Sequence, residues 1–326
     1  MDEYAKRVAG ELRQYAENED VHALPGICFY WLTKYILPQL ASFGYAGADE
    51  FFLLNLERAY DAAAGGVRRF VSLGAGNCDL EVRLAEALRA GGRTEFVFDC
   101  LDLNAAMIER GVAAASAKGL EGVLQPLVAD FNAWTPAREY DAVVANQALH
   151  HVQELERLLD GVRGALTGRG KFIVSDMIGR NGHRRWPEAL ALVEKFWREL
   201  PARYRYDRQL RRQDEVYPDF DCSLEGFEGI RSQDILPLAL ERFGFEFFYA
   251  FSNVTDPFVD RSYGPNFDAE GAWDRDFLDR VHACDEAEIR AGRISPTHML
   301  AVMGRGRDQA VVCVDHLTPA FCVRRG

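Results

Sequence analysis

Apolar positions recur at helical spacing near the start of the chain. Tyr4, Val8, Leu12 and Tyr15 fall on one side of a helix over residues 2–17. The run "VHALPGICFYWLTKYILPQL" is aromatic-rich and bracketed by Pro25 and Pro38, which predicts a second helix with its turn at Pro25-Gly26. "GADEFFLLNLERAYDAAAGG" predicts a third. From position 68 the rhythm changes. "RRFVSLGAG", "TEFVFDCLDLN", "GVLQPLVADFN", "YDAVVANQALHHV" and "GKFIVSDMIG" contain strand-length apolar runs. Between them lie helical patterns: "DLEVRLAEALRAGG", with Leu80, Leu84 and Leu88 on one side, "AAMIERGVAAASAKG", and "QELERLLDGVRGALTGRG". Such alternation predicts an α/β fold with a parallel sheet covered by helices on both faces.

After Gly179 the alternation breaks for an Arg-, Tyr- and Trp-rich stretch. It resumes with the helix "SQDILPLALERFG", the strand "FEFFYAFSNV" and a last strand "HMLAVMGR". The division expected is a helical lid over 1–65, a ligand-binding core over 66–178, an inserted cap over 179–229, the second half of the core over 230–306 with an insertion at 255–295, and a tail over 307–326. Ligands of open α/β sheets bind beyond the C-terminal ends of the strands. Insertions after Asp176 and Val254 should therefore build a substrate pocket there.

Composition narrows the function. The chain has 326 residues, 48% of them apolar and 27% charged, ordinary values for a globular protein. A net charge of −12 argues against a general nucleic-acid binder, although "RRWPEALALVEKFWRELPARYRYDRQLRRQ" is locally basic. A charged N-terminus and the lack of a long apolar run predict neither a signal peptide nor a membrane span. The seven cysteines are scattered and never spaced CxxC, so reduced thiols in the cytoplasm, and no metal site, are expected.

The stretch "FVSLGAGNCDLE" at 70–81 raises the question of the ligand. Gly74 and Gly76 match a dinucleotide fingerprint, but Asp79 replaces its third glycine. A pyrophosphate would sit at the following helix N-terminus, where Asp79 and Glu81 would repel it. S-adenosylmethionine has no phosphate; it offers a sulfonium and an ammonium instead. Further along, Asp102 ends "CLDLN" where a carboxylate can accept from both ribose hydroxyls. Asp130 and Phe131 end "VADF" and suit an adenine amino group and ring face. Asn146 falls beside the expected sulfonium.

With "VSLGAGNCDLE", "LDLNAAMIERG", "VADF" and "YDAVVANQALHHV" in this order, the chain resembles the class I S-adenosylmethionine-dependent methyltransferases over 68–176, and more loosely over 230–304. The outer segments "HALPGICFYWLTKYILPQL", "IGRNGHRRWPEAL", "FEGIRSQDILPLAL" and "YGPNF" resemble a bacterial small-molecule branch. The resemblance implies a Rossmann-like doubly wound sheet of about seven strands, S-adenosyl-L-methionine as cofactor, and a cofactor seat at Gly74, Ala75, Gly76, Asp79, Asp102, Leu103, Asp130, Phe131, Asn146 and Gln147. The family usually has an acid at position 72 and a glycine at 78; this chain has Ser72 and Cys78.

For catalysis, His150 and His151 are the candidates, because histidine can take a proton near neutral pH. Methyl transfer also proceeds by alignment and desolvation alone. Tyr30, Trp31 and Tyr35 are either a core stripe or an aromatic lid over the sulfonium, and Lys34 could meet the methionine carboxylate. Arg180, Asn181, His183 and Trp186 follow the fifth strand and are substrate-contact candidates. The reaction expected is methyl transfer to O, N or C of a small molecule in specialised metabolism. Its rivals are cyclisation of the cofactor to a small-ring amino acid with release of methylthioadenosine, a pericyclic reaction scaffolded by the cofactor, and a non-catalytic binding protein. No nucleic-acid or membrane partner is expected, and a homodimer is left open.

Overall fold

The computed structural model describes residues 4, 6–8, 24–224, 226–307 and 310–324. The helix expected over 2–17 lies mostly outside them, with Tyr4, Lys6, Arg7 and Val8 helical. The second helix starts at Gly26 as α1 (Gly26–Trp31). It passes through a π-turn (Leu32–Ile36) into α2 (Leu37–Ser42), so it runs through Pro38 rather than stopping there. Proline has no N–H for the ladder, and a local shift to i→i+5 bonding re-registers the turn ahead of it. Next comes α3 (Ala48–Ala62).

The core alternates as the sequence predicts: β1 (Arg68–Leu73), α4 (Asp79–Ala90), β2 (Phe96–Asp102), α5 (Ala105–Ala117), β3 (Leu124–Val128), β4 (Tyr140–Asn146), α6 (Leu155–Ala165) and β5 (Leu166–Met177). Here β5 begins earlier than the sequence pattern suggests. The "LTGRG" segment is strand because Leu166 pairs with Tyr140 across a register shift. A Cβ on Gly170 would come within 2.9 Å of the Tyr140 carbonyl, so the close strand approach needs glycine there.

The segment after β5, expected to form a cap, contains α7 (Pro187–Glu199) and a two-stranded hairpin, β6 (Tyr206–Asp207) and β7 (Arg212–Gln213). Then follow α8 (Ser232–Arg242), β8 (Gly244–Phe251), the second insertion with α9 (Asp256–Val259) and α10 (Ala272–Arg290), β9 (His298–Gly304) and α11 (Pro319–Cys322).

The sheet order is β3-β2-β1-β4-β5-β9-β8. The first five strands are parallel, and β9 runs antiparallel between β5 and β8. Strand order reverses between β1 and β4, which opens the crevice where such sheets bind ligands. Phe70, Phe98, Val143 and Ile173 are fully buried in the central strands. Segment 310–324, for which the sequence suggested no role, packs back on the fold. Val312 bridges to Phe247, Asp315 pairs with Arg290 and Arg324 with Glu188. Among the described residues no helix is long and apolar enough to cross a membrane.

Candidate active site

At the β1–α4 turn, Gly74 and Gly76 have φ of +70° and +54°, the left-handed region that favours glycine. A Cβ on Gly74 would lie 2.7 Å from Ala148 Cβ and 3.8 Å from Phe131 Cε1. The turn therefore touches both the segment after β4 and the one after β3. Gly74 and Ala75 donate their N–H groups to Leu101 O. Gly76 N–H donates to Asp102 Oδ2 at 2.8 Å, and Asn104 N–H donates to Oδ1 at 2.8 Å. Asp102 thus ties the turn to the end of β2. Leu103 is half-buried beside it. Asp130 Oδ1 accepts from Asn132 N–H, while the Tyr4 hydroxyl donates to Oδ2. Asn146 and Gln147 are exposed at the end of β4, and Gln147 N–H donates to Ser175 O.

The two departures from the family pattern have local causes. Cys78 takes a left-handed conformation (φ +57°) just before α4, and its thiol packs against Gly111 of α5. Ser72 Oγ donates to Glu81 Oε1 at 2.6 Å in the interior. Burial pushes the Glu81 carboxyl up to about 7, partly opposed by the Ser72 hydrogen bond. Glu81 therefore lies beneath the loop, which removes one of the two acids from the charge argument against a pyrophosphate. Asp79 is exposed on the first turn of α4.

Beyond β4 a cluster of titratable groups gathers. His150 Nδ1 lies 2.7 Å from Asp176 Oδ1 at the end of β5, and Asp176 Oδ2 accepts the Ala148 and Leu149 N–H groups. On its other side His150 Nε2 is 3.5 Å from Glu228 Oε1. His183 Nε2 is 2.6 Å from the same oxygen, and His151 Nε2 is 3.5 Å from Glu228 Oε2. Burial alone would lower the His150 pKa, but Asp176 and Glu228 on either side raise it to about 10. Burial lowers that of His183, against the pull of Glu228. The Glu228 carboxyl, despite a burial penalty, is held well below its usual range by the imidazoles. Asp176 and Glu228 were not among the residues read from the sequence. Asp176 is the penultimate residue of β5 and could have been read as an end-of-strand acid; Glu228 sits in an irregular loop with no such signal.

Several sequence candidates lie elsewhere. Lys34 pairs with Asp279 of α10, and the Tyr30 and Tyr35 hydroxyls donate to the same carboxylate. Trp31 Nε1–H donates to His282 and its ring packs near Phe251 at the end of β8. That strand is three places from β4, about 14 Å at ~4.8 Å per strand. These four residues join α1 and the π-turn after it to α10, so the lid and carboxylate-contact expectations are corrected. Of the group after β5, only His183 enters the cluster. Arg180 donates to Arg185 O, Asn181 exchanges hydrogen bonds with Gln233 of α8, and Trp186 lies under the Arg324 guanidinium. Arg185, unread in the sequence, is buried and pairs with Asp256 at 3.0 Å.

Residues 71–172 match the model of the family described as "Methyltransferase domain". That stretch of the chain is a methyltransferase domain. The match runs from the second half of β1 to Phe172 in β5, including the glycine turn, Asp102, Asp130, Asn146 and the His150–His151 pair. No curated protein sequence matches the chain. Among solved structures, the methyltransferase is similar to the O-methyltransferase of a trans-AT PKS multienzyme of Brevibacillus brevis, in complex with S-adenosyl-L-homocysteine. That match has 12% identity and a TM-score of 0.45, over 89% of this chain and 82% of that one. It is also similar to the geranyl diphosphate C-methyltransferase of Streptomyces coelicolor, with 14% identity and a TM-score of 0.44 over 78% and 77% of the two chains. Likenesses this distant say nothing of the acceptor.

Proposed function

We propose that this methyltransferase transfers the methyl group of S-adenosylmethionine to a hydroxyl oxygen of a small molecule. The observation that carries the reading is the cluster of His150, His151, His183 and Glu228, two of whose members follow the Gly74-contacting residue Ala148 after Leu149 alone. A hydroxyl acceptor must lose a proton as it is alkylated, and polar groups at that point can receive it. In the proposed arrangement Gly74, Ala75 and Gly76 let the backbone approach the cofactor. Asp102 and Leu103 flank the ribose, Asp130 and Phe131 the adenine, and Asn146 and Gln147 the methionine end. The acceptor oxygen attacks the methyl carbon, the carbon–sulfur bond breaks with its electrons staying on sulfur, and the proton leaves toward the cluster. In-line attack needs the oxygen about 3–3.5 Å from the methyl carbon. The cap and the −12 net charge favour a small enclosed acceptor over a polyanion.

The test is incubation with methyl-labelled cofactor, first alone and then with a panel of phenols, enols and alcohols. The expected result is S-adenosylhomocysteine only with an acceptor, and a product whose labelled carbon is bonded to oxygen by NMR. Methylthioadenosine formed from the cofactor alone would instead favour cyclisation. A labelled carbon bonded to carbon or nitrogen would move the assignment to that atom.

A further inference from the structure

We infer that His150, His183 and Glu228, with His151 beside them, form a binding site for a first-row transition-metal dication such as zinc or manganese. One ligand atom each from His150, His183 and Glu228 lies within 4.8 Å of the others. A tetrahedral ion with ligand bonds of ~2.0–2.1 Å holds its donors about 3.4 Å apart. His150 Nε2 and Glu228 Oε1 stand at 3.5 Å, and so do His151 Nε2 and Glu228 Oε2. The 2.6 Å contact of His183 needs to open by less than about 1 Å to admit the ion.

The surroundings are those of a metal site. His150 holds Asp176 through Nδ1, leaving Nε2 to face the cluster, the arrangement in which a carboxylate orients a ligating imidazole. Asp176 is itself fixed by the N–H groups of Ala148, Leu149 and Met177. The three segments are joined by backbone hydrogen bonds close to the donors: Ile230 N–H to His150 O at 3.0 Å, and Gly182 N–H to Gly229 O at 2.8 Å. Gly182, His183 and Gly229 all have left-handed backbones, which bend the cap's two ligands inward. Two carboxylates among three imidazoles leave room for two positive charges. Imidazole with one carboxylate suits zinc, manganese or iron better than magnesium or calcium. The scattered cysteines had suggested no metal; the donors are instead nitrogen and oxygen, drawn from three separate segments.

The use of such an ion rests on the proposed hydroxyl acceptor: an open coordination position would take that oxygen and lower its pKa. Binding of the ion does not depend on that reading, so the two can fail separately. The tag-free protein is stripped with chelator and titrated by calorimetry with Zn²⁺ or Mn²⁺ alone. One dication per chain is expected, with affinity reduced 100-fold or more in His183→Ala and Glu228→Gln, and 10- to 100-fold in Asp176→Asn. Cobalt substitution should give visible absorption that both ligand variants lose. X-ray absorption of the zinc-loaded wild type should show imidazole scattering, which keeps the test open if a variant misfolds. Titration of each protein with S-adenosylhomocysteine reports independently on the cofactor crevice. No uptake at millimolar metal, or equal uptake by the His183→Ala/Glu228→Gln double variant, overturns the site while leaving the methyltransferase assignment in place.

Discussion

Ser72 Oγ donates to Glu81 Oε1 at 2.6 Å beneath the glycine turn, so a hydroxyl and a buried acid together stand where the family resemblance leads one to expect a carboxylate at position 72. The acid has moved from the strand end to the first turn of α4. Its pKa rises from 4.5 to about 7, chiefly through burial. The unfolded carboxyl loses its proton first as pH rises, so the folded state binds more protons between these values and stability falls across that window. Glu81→Gln keeps an acceptor for Ser72 and removes the ionisation. In urea unfolding, wild type and variant should be close near pH 4 and diverge as pH rises. By pH 8 the variant should be more stable by roughly 1–3 kcal/mol. Parallel pH profiles would contradict the assignment.

Gly111 carries a second consequence of the altered turn. A Cβ there would meet Cys78 Sγ at 2.6 Å and Asn77 O at 2.8 Å. Gly111→Ala should therefore destabilise by about 1–3 kcal/mol through overpacking. Adding Cys78→Gly removes the thiol and suits the left-handed backbone at 78, so the double variant should regain part of that loss. The residual Asn77 contact keeps recovery incomplete. A double-mutant cycle with no coupling would show that the two positions do not press on each other.

Asp102→Ala removes the acceptor for Gly76 N–H and Asn104 N–H as well as the proposed ribose contact. S-adenosylhomocysteine affinity should fall by ~10-fold or more in calorimetry, on the order of 1.4 kcal/mol per factor of ten. Unchanged affinity would leave Asp102 a loop clamp and nothing else.

Lys34→Ala tests the relocation of Lys34 and the three aromatic residues beside it. Lys34 is paired to Asp279 on α10, so its loss should leave S-adenosylhomocysteine affinity within about 2-fold, the scale of a surface ion pair. A large loss of affinity would return Lys34 to the cofactor's carboxylate.

The core was legible because buried parallel strands read as apolar runs and their helices carry one apolar stripe. Gly74, Gly76 and Asp102 were legible because a tight turn and an end-of-strand acid leave marks at fixed spacing. Ser72 and Cys78 were seen as departures, but their compensation depended on Glu81 and Gly111, whose positions follow from how α4 and α5 pack. Glu228 was invisible because nothing periodic surrounds it; a backbone bond from Ile230 to His150 brings it in. Lys34 and its three aromatic neighbours were misplaced for the opposite reason: helical spacing gave their shared face correctly and left the partner, Asp279 on α10, unspecified.

The antiparallel strand β9 sits between β5 and β8 although it follows both in the chain. During synthesis, β8 with Phe245, Phe247 and Phe248 emerges before it has any neighbour in the sheet, and β5 keeps an open edge for the same interval. Both edges close in one step when residues 298–304 arrive. A product cut short before that point exposes two apolar edges able to pair with other chains, so nonsense or frameshift lesions late in the gene should aggregate rather than yield a smaller working enzyme.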